Sequence, residues 1–133
     1  MAFLLCSDFS IFPDNTQLGP AFTLSAMDFL DVLGGSTSFV NLTNGELGLQ
    51  FPDAGLDVTL PTAVSFVRFR IRQFNTPFTV EALDGTGATV STFNMAVPNT
   101  YLNFGFTAPG IAAIRFRGGG DEGALVSLCI LVI

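Results

Sequence analysis

Short alternating apolar segments, separated by turn-forming residues, run through almost the whole chain. The segment "FTVEAL" is followed by the turn "DGTG" and then by "ATVSTFNM". An Asn-Gly pair between apolar alternations is a strong hairpin signal, and Asn44-Gly45 lies between "TSFVNL" and "ELGLQF". This spacing predicts about nine to eleven strands. Because no internal repeat and no linker composition interrupts it, residues 1–133 are predicted to form one all-β sandwich domain.

The segment "FTLSAMDFLDVLGG" supports two interpretations between Leu24 and Leu33. Its apolar residues lie near helical spacing, and Gly34 is a typical helix stop. Its Thr, Phe and Val content suits a strand equally well. Both interpretations stay open from the sequence alone.

Charge and residue types exclude several functions. The chain has a net charge of −6, with five arginines and no lysine or histidine. Nucleic-acid binding requires a basic surface, so no nucleic-acid partner is expected. No apolar run approaches the roughly 20 residues that span a bilayer. Without histidine, Ser-His and Cys-His nucleophiles and histidine-ligated metals are excluded, and the chain is predicted not to be an enzyme.

The surface is expected to be unusually apolar. Charged residues make up 12% of the chain, against about 25% in a typical globular protein. Large exposed apolar patches mark interfaces, so a homo-oligomer or a larger assembly is expected. The opening "MAFLLCSDF" has too short an apolar run for a signal peptide and is predicted to be the first strand. An extracellular or particle-surface location is favoured over the cytoplasm, although no signal peptide is visible.

The stretches "VRFRIR" and "IRFR" alternate apolar residues with arginine. Because successive side chains of a strand point to opposite faces, the apolar residues are predicted to face the core and the arginines to face outward. The predicted core residues are Val67, Phe69, Ile71, Phe78, Val80, Ala82, Ile114 and Phe116. The arginines predicted to share one sheet face are Arg68, Arg70, Arg72, Arg115 and Arg117.

The arginine face has two interpretations. It is either an ordinary solvated sheet face or a patch that meets acidic groups of a ligand or a neighbouring copy. In the first interpretation a hairpin through Asn75-Thr76-Pro77 places Glu81 beside Arg70 as a cross-strand charge pair. The use of arginine to the exclusion of lysine favours the second, because the guanidinium fork suits bidentate carboxylate recognition.

The segment "GGGDEG" at residues 118–123 places two carboxylates after three glycines. If the terminal strands lie side by side, Asp121 or Glu122 approaches Asp8, and the carboxylates form a Ca²⁺ site with backbone carbonyls. The alternative is a tight acidic turn whose carboxylates cap backbone N–H groups.

Four segments together resemble a known family: "CSDF", "GLDVTLPTAVSFVRFRI", "FTVEALDGTGATV" and "GIAAIRFRGGGDEGALVSLCI". They are similar to the galactose-binding-like jelly rolls of bacterial exported and modular proteins, which include carbohydrate-binding modules. The resemblance implies a two-sheet antiparallel jelly roll with adjacent N- and C-terminal strands, glycan binding, and often a structural calcium. The chain departs from these modules in having no tryptophan to stack on sugar rings.

Two functions are therefore predicted. The first is a non-catalytic binding module for carbohydrate or a cell-surface polymer, with Tyr101, Asn103 and the arginines as its contacts. The second is a self-assembling structural subunit of a fibre, shell or appendage. The adjacent terminal strands implied by the resemblance also bring Cys6 and Cys129 near each other, either as a disulfide or as two buried thiols.

Overall fold

The computed structural model describes residues 2–34, 38–74, 76–96 and 100–133. Within these ranges the chain forms strands and one short 3-10 helix at Phe9–Ile11. The strands are β1 Phe3–Asp8, β2 Ala21–Leu24, β3 Met27–Asp31, β4 Phe39–Thr43, β5 Glu46–Phe51, β6 Leu56–Gln73, β7 Phe78–Leu83, β8 Thr89–Met95, β9 Thr100–Gly118 and β10 Gly123–Val132. Every strand pairing between them is antiparallel, so the all-β prediction is confirmed.

Two long strands, β6 and β9, run through both layers of the sandwich. The second half of β6 pairs with β10 and the first half of β9, and β10 pairs in turn with β1 and β5; we call this layer the front sheet. The first half of β6 pairs with β3 and the second half of β9, which pairs with β7; we call this layer the back sheet. Hydrogen bonding is continuous between the layers because β6 and β9 belong to both.

A break in β6 makes this arrangement possible. The β6–β9 register shifts between Thr59 and Phe66. Before the break the buried residues are Leu56 and Val58, and after it they are Val67 and Phe69, so the inward positions change from even to odd numbers. The same strand can therefore present apolar residues to the core from two different layers.

The core lies between the two sheets. Phe69 of the front sheet and Phe116 of the back sheet have ring centroids 6.0 Å apart, and Phe51 lies 5.5 Å from Phe116 and 5.7 Å from Phe78. Edge and tilted ring pairs at such distances add specific contacts to the burial of apolar area. The eight predicted core residues are each at most 2% exposed, so that prediction is confirmed.

Two hairpins have two-residue turns in the left-handed region. Asn44 and Gly45 connect β4 to β5 with φ of 50° and 80°, the left-handed pair that a two-residue hairpin requires. The ambiguous segment is a hairpin as well: Ser25 and Ala26, with φ of 51° and 62°, join β2 to β3. Phe22 of β2 stacks on Phe29 of β3, and β3 pairs in turn with the distant strand β6. This long-range pairing decides for strands where helical spacing left the choice open.

The first and last strands are neighbours, as the resemblance implied. β1 pairs with β10, Cys6 lies opposite Cys129, and the two form a disulfide. In the described part of the chain, no helix has the length and apolar character needed to cross a bilayer.

The predicted pair between Arg70 and Glu81 is wrong. β7 pairs with β8 and β9 in the back sheet, and Glu81 therefore lies opposite Arg115. Arg70, in the front sheet, pairs instead with Glu46. Asn75 of the proposed hairpin lies outside the described residues.

The prediction that all five arginines share one sheet face is also wrong. Arg68, Arg70 and Arg72 lie on the outer side of the front sheet, and Arg115 and Arg117 on the outer side of the back sheet. Alternation indicates that an arginine points away from the core, but the outward directions of the two sheets are opposite.

Candidate ligand-binding face

The outer surface of the front sheet gathers most of the polar and aromatic residues singled out from the sequence. Three cross-strand rows form it, with β6 at the centre. Arg72 lies opposite Tyr101, Arg70 opposite Asn103, and Arg68 opposite Gly105. On the other side of β6, β10 places Ser127 beside Arg70 and Cys129 beside Arg68. We call this surface the front face.

Tyr101 contacts two cations. Its ring centroid is 5.1 Å from the guanidinium carbons of both Arg70 and Arg72. Its hydroxyl donates to the backbone oxygen of Thr43 at 3.1 Å. Arg72 also lies 4.3 Å from the ring centroid of Phe74. Such cation–π contacts hold the aromatic ring in one orientation before any ligand arrives.

Arg70 forms the strongest ion pair of the front face. Its Nε lies 2.6 Å from Glu46 Oε1 and its Nη2 lies 2.7 Å from Glu46 Oε2, a bidentate arrangement. Its Nη1 also donates to Asn103 Oδ1 at 3.3 Å. The hydrogen bonds from Arg70 lower the pKa of Glu46 below its ordinary value, and they raise the pKa of Arg70. Arg70 is thus occupied and oriented by residues of the domain itself.

The tip of the β4–β5 hairpin, residues 43–46, lies against this face. Thr43 accepts from Tyr101, Glu46 binds Arg70, and the Asn44 amide oxygen, turned toward Arg72, accepts from Nη2 at 3.0 Å and Nη1 at 3.3 Å. Arg72 is only 3% exposed as a result. Sequence reasoning missed Asn44 and Glu46 as members of this site because it identified only their turn. No local pattern indicates which distant strand a hairpin tip will touch.

Arg68 lies at the open end of the front face. It is exposed, and among the described residues it has neither an ion pair nor a side-chain hydrogen bond. Beside it, the Phe66 ring lies on Gly105, where an added Cβ would meet Phe66 Cε1 and the Val67 oxygen at 3.2 Å each. A glycine at position 105 therefore lets the half-buried Phe66 ring approach the β9 backbone. Phe66 is not among the site residues predicted from the sequence.

A shallow pocket of about 280 Å³ lies between these groups. Its lining consists of Arg68, Phe69, Arg70, Asn103, Ser127 and Cys129. The guanidinium and amide groups supply donors, and the hydroxyl of Ser127 supplies a donor and an acceptor.

Arg115 and Arg117 form a separate group on the back sheet. Asp57 lies between them, with its Oδ1 2.7 Å from Arg117 Nη1 and 4.0 Å from Arg115 Nε. Arg117 Nη1 also donates to the Phe116 backbone oxygen at 2.9 Å. This pair therefore does not join the front-face residues in one site.

The three carboxylates predicted to bind calcium have different surroundings. Asp8 Oδ1 accepts from the Ser10 backbone N–H at 2.9 Å, and Asp121 Oδ1 accepts from the Asp53 N–H at 2.8 Å. Glu122 is exposed. Within the described ranges, no group of three or more carboxylates or thiols is placed to hold a metal ion. Asp121 therefore caps a backbone N–H group, as the alternative interpretation of this turn predicts. Calcium binding stays a prediction.

Comparison with known proteins identifies the architecture. The sequence matches no protein-family model and no curated protein. Among solved structures, a family 29 carbohydrate-binding module variant complexed with mannohexaose superimposes with a TM-score of 0.58 and 8% identity, over 98% of this chain and 92% of that chain. The chain therefore shares its antiparallel β-sandwich fold with this carbohydrate-binding module.

A second structure agrees with this result. A family 29 carbohydrate-binding module from Piromyces equi superimposes with a TM-score of 0.55 and 9% identity, over 98% of this chain and 90% of that chain. Identities this low establish a shared β-sandwich fold and no more. The two-sheet jelly roll implied by the resemblance is therefore confirmed.

Proposed function

We propose that this domain is a non-catalytic carbohydrate-binding module whose ligand lies along the front face. The observation that carries the proposal is the fixed Tyr101 ring beside a row of exposed polar groups. Sugars present apolar C–H faces to aromatic rings and hydroxyl groups to polar side chains, so a binding site for them needs both kinds of residue.

The arrangement of the front face supports this use. Tyr101 and the Phe66 ring over Gly105 are separated by four residues along β9, or about 13 Å at strand spacing. Asn103 and Arg68 lie between them and are exposed. An elongated ligand such as an oligosaccharide would contact an aromatic ring at each end and donors in the middle. Tyr101 and Phe66 take the place of tryptophans that the chain lacks.

Residues of the domain itself hold the front-face side chains in place before a ligand binds. Glu46 already orients Arg70, and Asn44 orients Arg72. Thr43 holds Tyr101 in the same way. Little side-chain entropy is therefore lost when a ligand binds. The alternative of a self-assembling subunit receives no support from the solved structures that share the fold.

The disulfide favours an extracellular location. Structural disulfides persist in oxidising compartments and are rare in the cytosol. The Cys6–Cys129 bridge joins the first strand to the last, so it is a structural disulfide. We infer that the module works outside the cytoplasm.

The proposal is tested by measuring oligosaccharide binding with calorimetry. The panel contains mannohexaose, cellohexaose and xylohexaose, together with hexamannuronate and hexaglucuronate. Tyr101→Ala and Asn103→Ala are expected to weaken binding, each by about three- to thirtyfold. Asn94→Ala is the matched control, because Asn94 is an exposed strand asparagine on the opposite sheet.

Two results would contradict the proposal. One is the absence of binding to every member of the panel. The other is binding that the Asn94 variant weakens as much as the Asn103 variant, since the ligand would then not lie on the front face. The melting temperature of each variant separates lost binding from lost folding, which matters for Tyr101 because its hydroxyl anchors the hairpin tip.

A further inference from the structure

The positive charges of this chain are not equally compensated. Arg70 binds Glu46 in a bidentate pair, and Arg115 and Arg117 share Asp57. Arg72 is buried beneath the hairpin tip and contacts Asn44, Phe74 and Tyr101. In the part of the chain that the structure describes, Arg68 is the arginine that has no acidic, amide or aromatic partner. Its charge is available to a ligand.

The surroundings of Arg68 suit an anionic group more than a neutral one. The pocket beside it is lined by donors from Arg70, Asn103 and Ser127. The front face carries three arginines, and among the described residues Glu46 is the carboxylate that pairs with one of them, in a chain whose net charge is −6. A negative group is therefore attracted to this face and repelled by most of the remaining surface.

Two carboxylates border the front face without neutralising Arg68. Asp8 of β1 lies opposite Ser127, two strands from Arg70, which is about 10 Å at normal strand spacing. Its Oδ1 is engaged by the Ser10 backbone N–H. Glu122 lies at the other end, beside Phe74 and Gln50. Both acidic groups lie at the edges, so a ligand carboxylate would be directed toward the centre of the face.

We infer that the ligand of the front face is a polysaccharide with carboxylates on its sugar rings, and that Arg68 binds one of these carboxylates. The inference rests on the proposed function and names the class of sugar. A guanidinium presents parallel N–H donors that match the two oxygens of a planar carboxylate. The Phe66 ring lies on Gly105, the residue opposite Arg68, and an apolar neighbour lowers the local dielectric, which strengthens an ion pair.

The test compares two oligosaccharides with the same backbone. Hexamannuronate and mannohexaose share a β-1,4-linked manno chain and differ in the carboxylate at C6. Calorimetry at low salt is expected to give hexamannuronate an affinity about tenfold or more above that of mannohexaose, since hydrogen bonds to charged groups are the stronger kind. Raising the ionic strength is expected to reduce this difference, because the front face is exposed to solvent.

Matched variants assign the difference to one residue. Arg68→Gln is expected to weaken hexamannuronate binding about tenfold more than it weakens mannohexaose binding, so that the two affinities become similar. Arg115→Gln removes the same charge from the back sheet, where the residue is half-exposed, and is expected to preserve the preference. Both substitutions lie at exposed or half-exposed positions, and melting temperatures verify that both variants fold.

The outcomes separate the inference from the proposed function. If the domain binds mannohexaose as tightly as hexamannuronate, the inference is overturned and the carbohydrate-binding proposal stands. If no oligosaccharide of either kind binds, the carbohydrate-binding proposal itself is overturned. Equal binding of poly-glutamate would overturn the inference by showing attraction to any polyanion. A sulfated mannohexaose that binds more tightly than hexamannuronate would overturn the assignment to carboxylates.

Discussion

Removing the Cys6–Cys129 disulfide should cost the domain much of its stability. The bridge joins residues separated by 123 positions, so it closes nearly the whole chain into one loop. The chain-entropy relation for a loop of this length gives about 5 kcal/mol of stabilisation near room temperature. A domain of ordinary stability has about 5–15 kcal/mol in total. The double variant Cys6→Ala/Cys129→Ala is therefore expected to be marginally stable.

The measurement is urea unfolding followed by circular dichroism, because the chain has no tryptophan for fluorescence. Reduced wild-type protein serves as the control, since it loses the same cross-link but keeps both sulfur atoms. Both forms are expected to lose a similar free energy of unfolding relative to the oxidised protein. A loss below about 1 kcal/mol in both would refute the loop-entropy reasoning. Alkylation of both thiols in unreduced protein, seen by mass spectrometry, would refute the bridge itself.

Three further predictions concern the core, the ion pair and the acidic turn. Phe69→Ala is expected to cost about 3–5 kcal/mol in urea unfolding, and a loss under about 1 kcal/mol would show that Phe69 is not a core residue. The pKa of Glu46 is lowered in the folded state by Arg70, so the ion pair stabilises above the ordinary glutamate pKa and is lost as pH falls through the folded value. The wild type should therefore exceed Glu46→Gln in stability by about 1 kcal/mol at neutral pH and lose this advantage in acid; a pH-independent difference would contradict it. Added Ca²⁺ is expected to raise the melting temperature if Asp121 or Glu122 contributes to a site, and a melting curve unchanged by Ca²⁺ and chelator would refute calcium binding.

Features set by neighbouring residues could be predicted from the sequence. The Asn44-Gly45 turn requires left-handed backbone, which these residues adopt at low cost, and the structure has the hairpin there. The burial of Phe69 and Phe116 follows from alternation within a single strand. The approach of Cys6 to Cys129 followed from the resemblance, which implied adjacent terminal strands.

Features set by distant contacts could not be predicted in this way. Alternation shows that Arg70 and Arg115 point away from the core, but not that their strand segments belong to different sheets. The turn after β6 suggested a hairpin between β6 and β7. Instead β7 pairs with β9 in the back sheet, which places Glu81 opposite Arg115. The contact between Arg70 and Glu46 joins β6 to β5, which β10 separates in the sheet, and no residue near Glu46 in the sequence indicates it.

The passage of β6 and β9 through both layers has a consequence for the unfolding of the domain. These strands pair with each other from Leu56–Phe116 in the back sheet to Gln73–Thr100 in the front sheet. Neither layer can lose β6 or β9 without taking hydrogen bonds from the other, so the two are expected to open as one cooperative unit in amide hydrogen exchange. A ligand held only at the front face would therefore slow exchange in the back sheet, far from any atom that it touches.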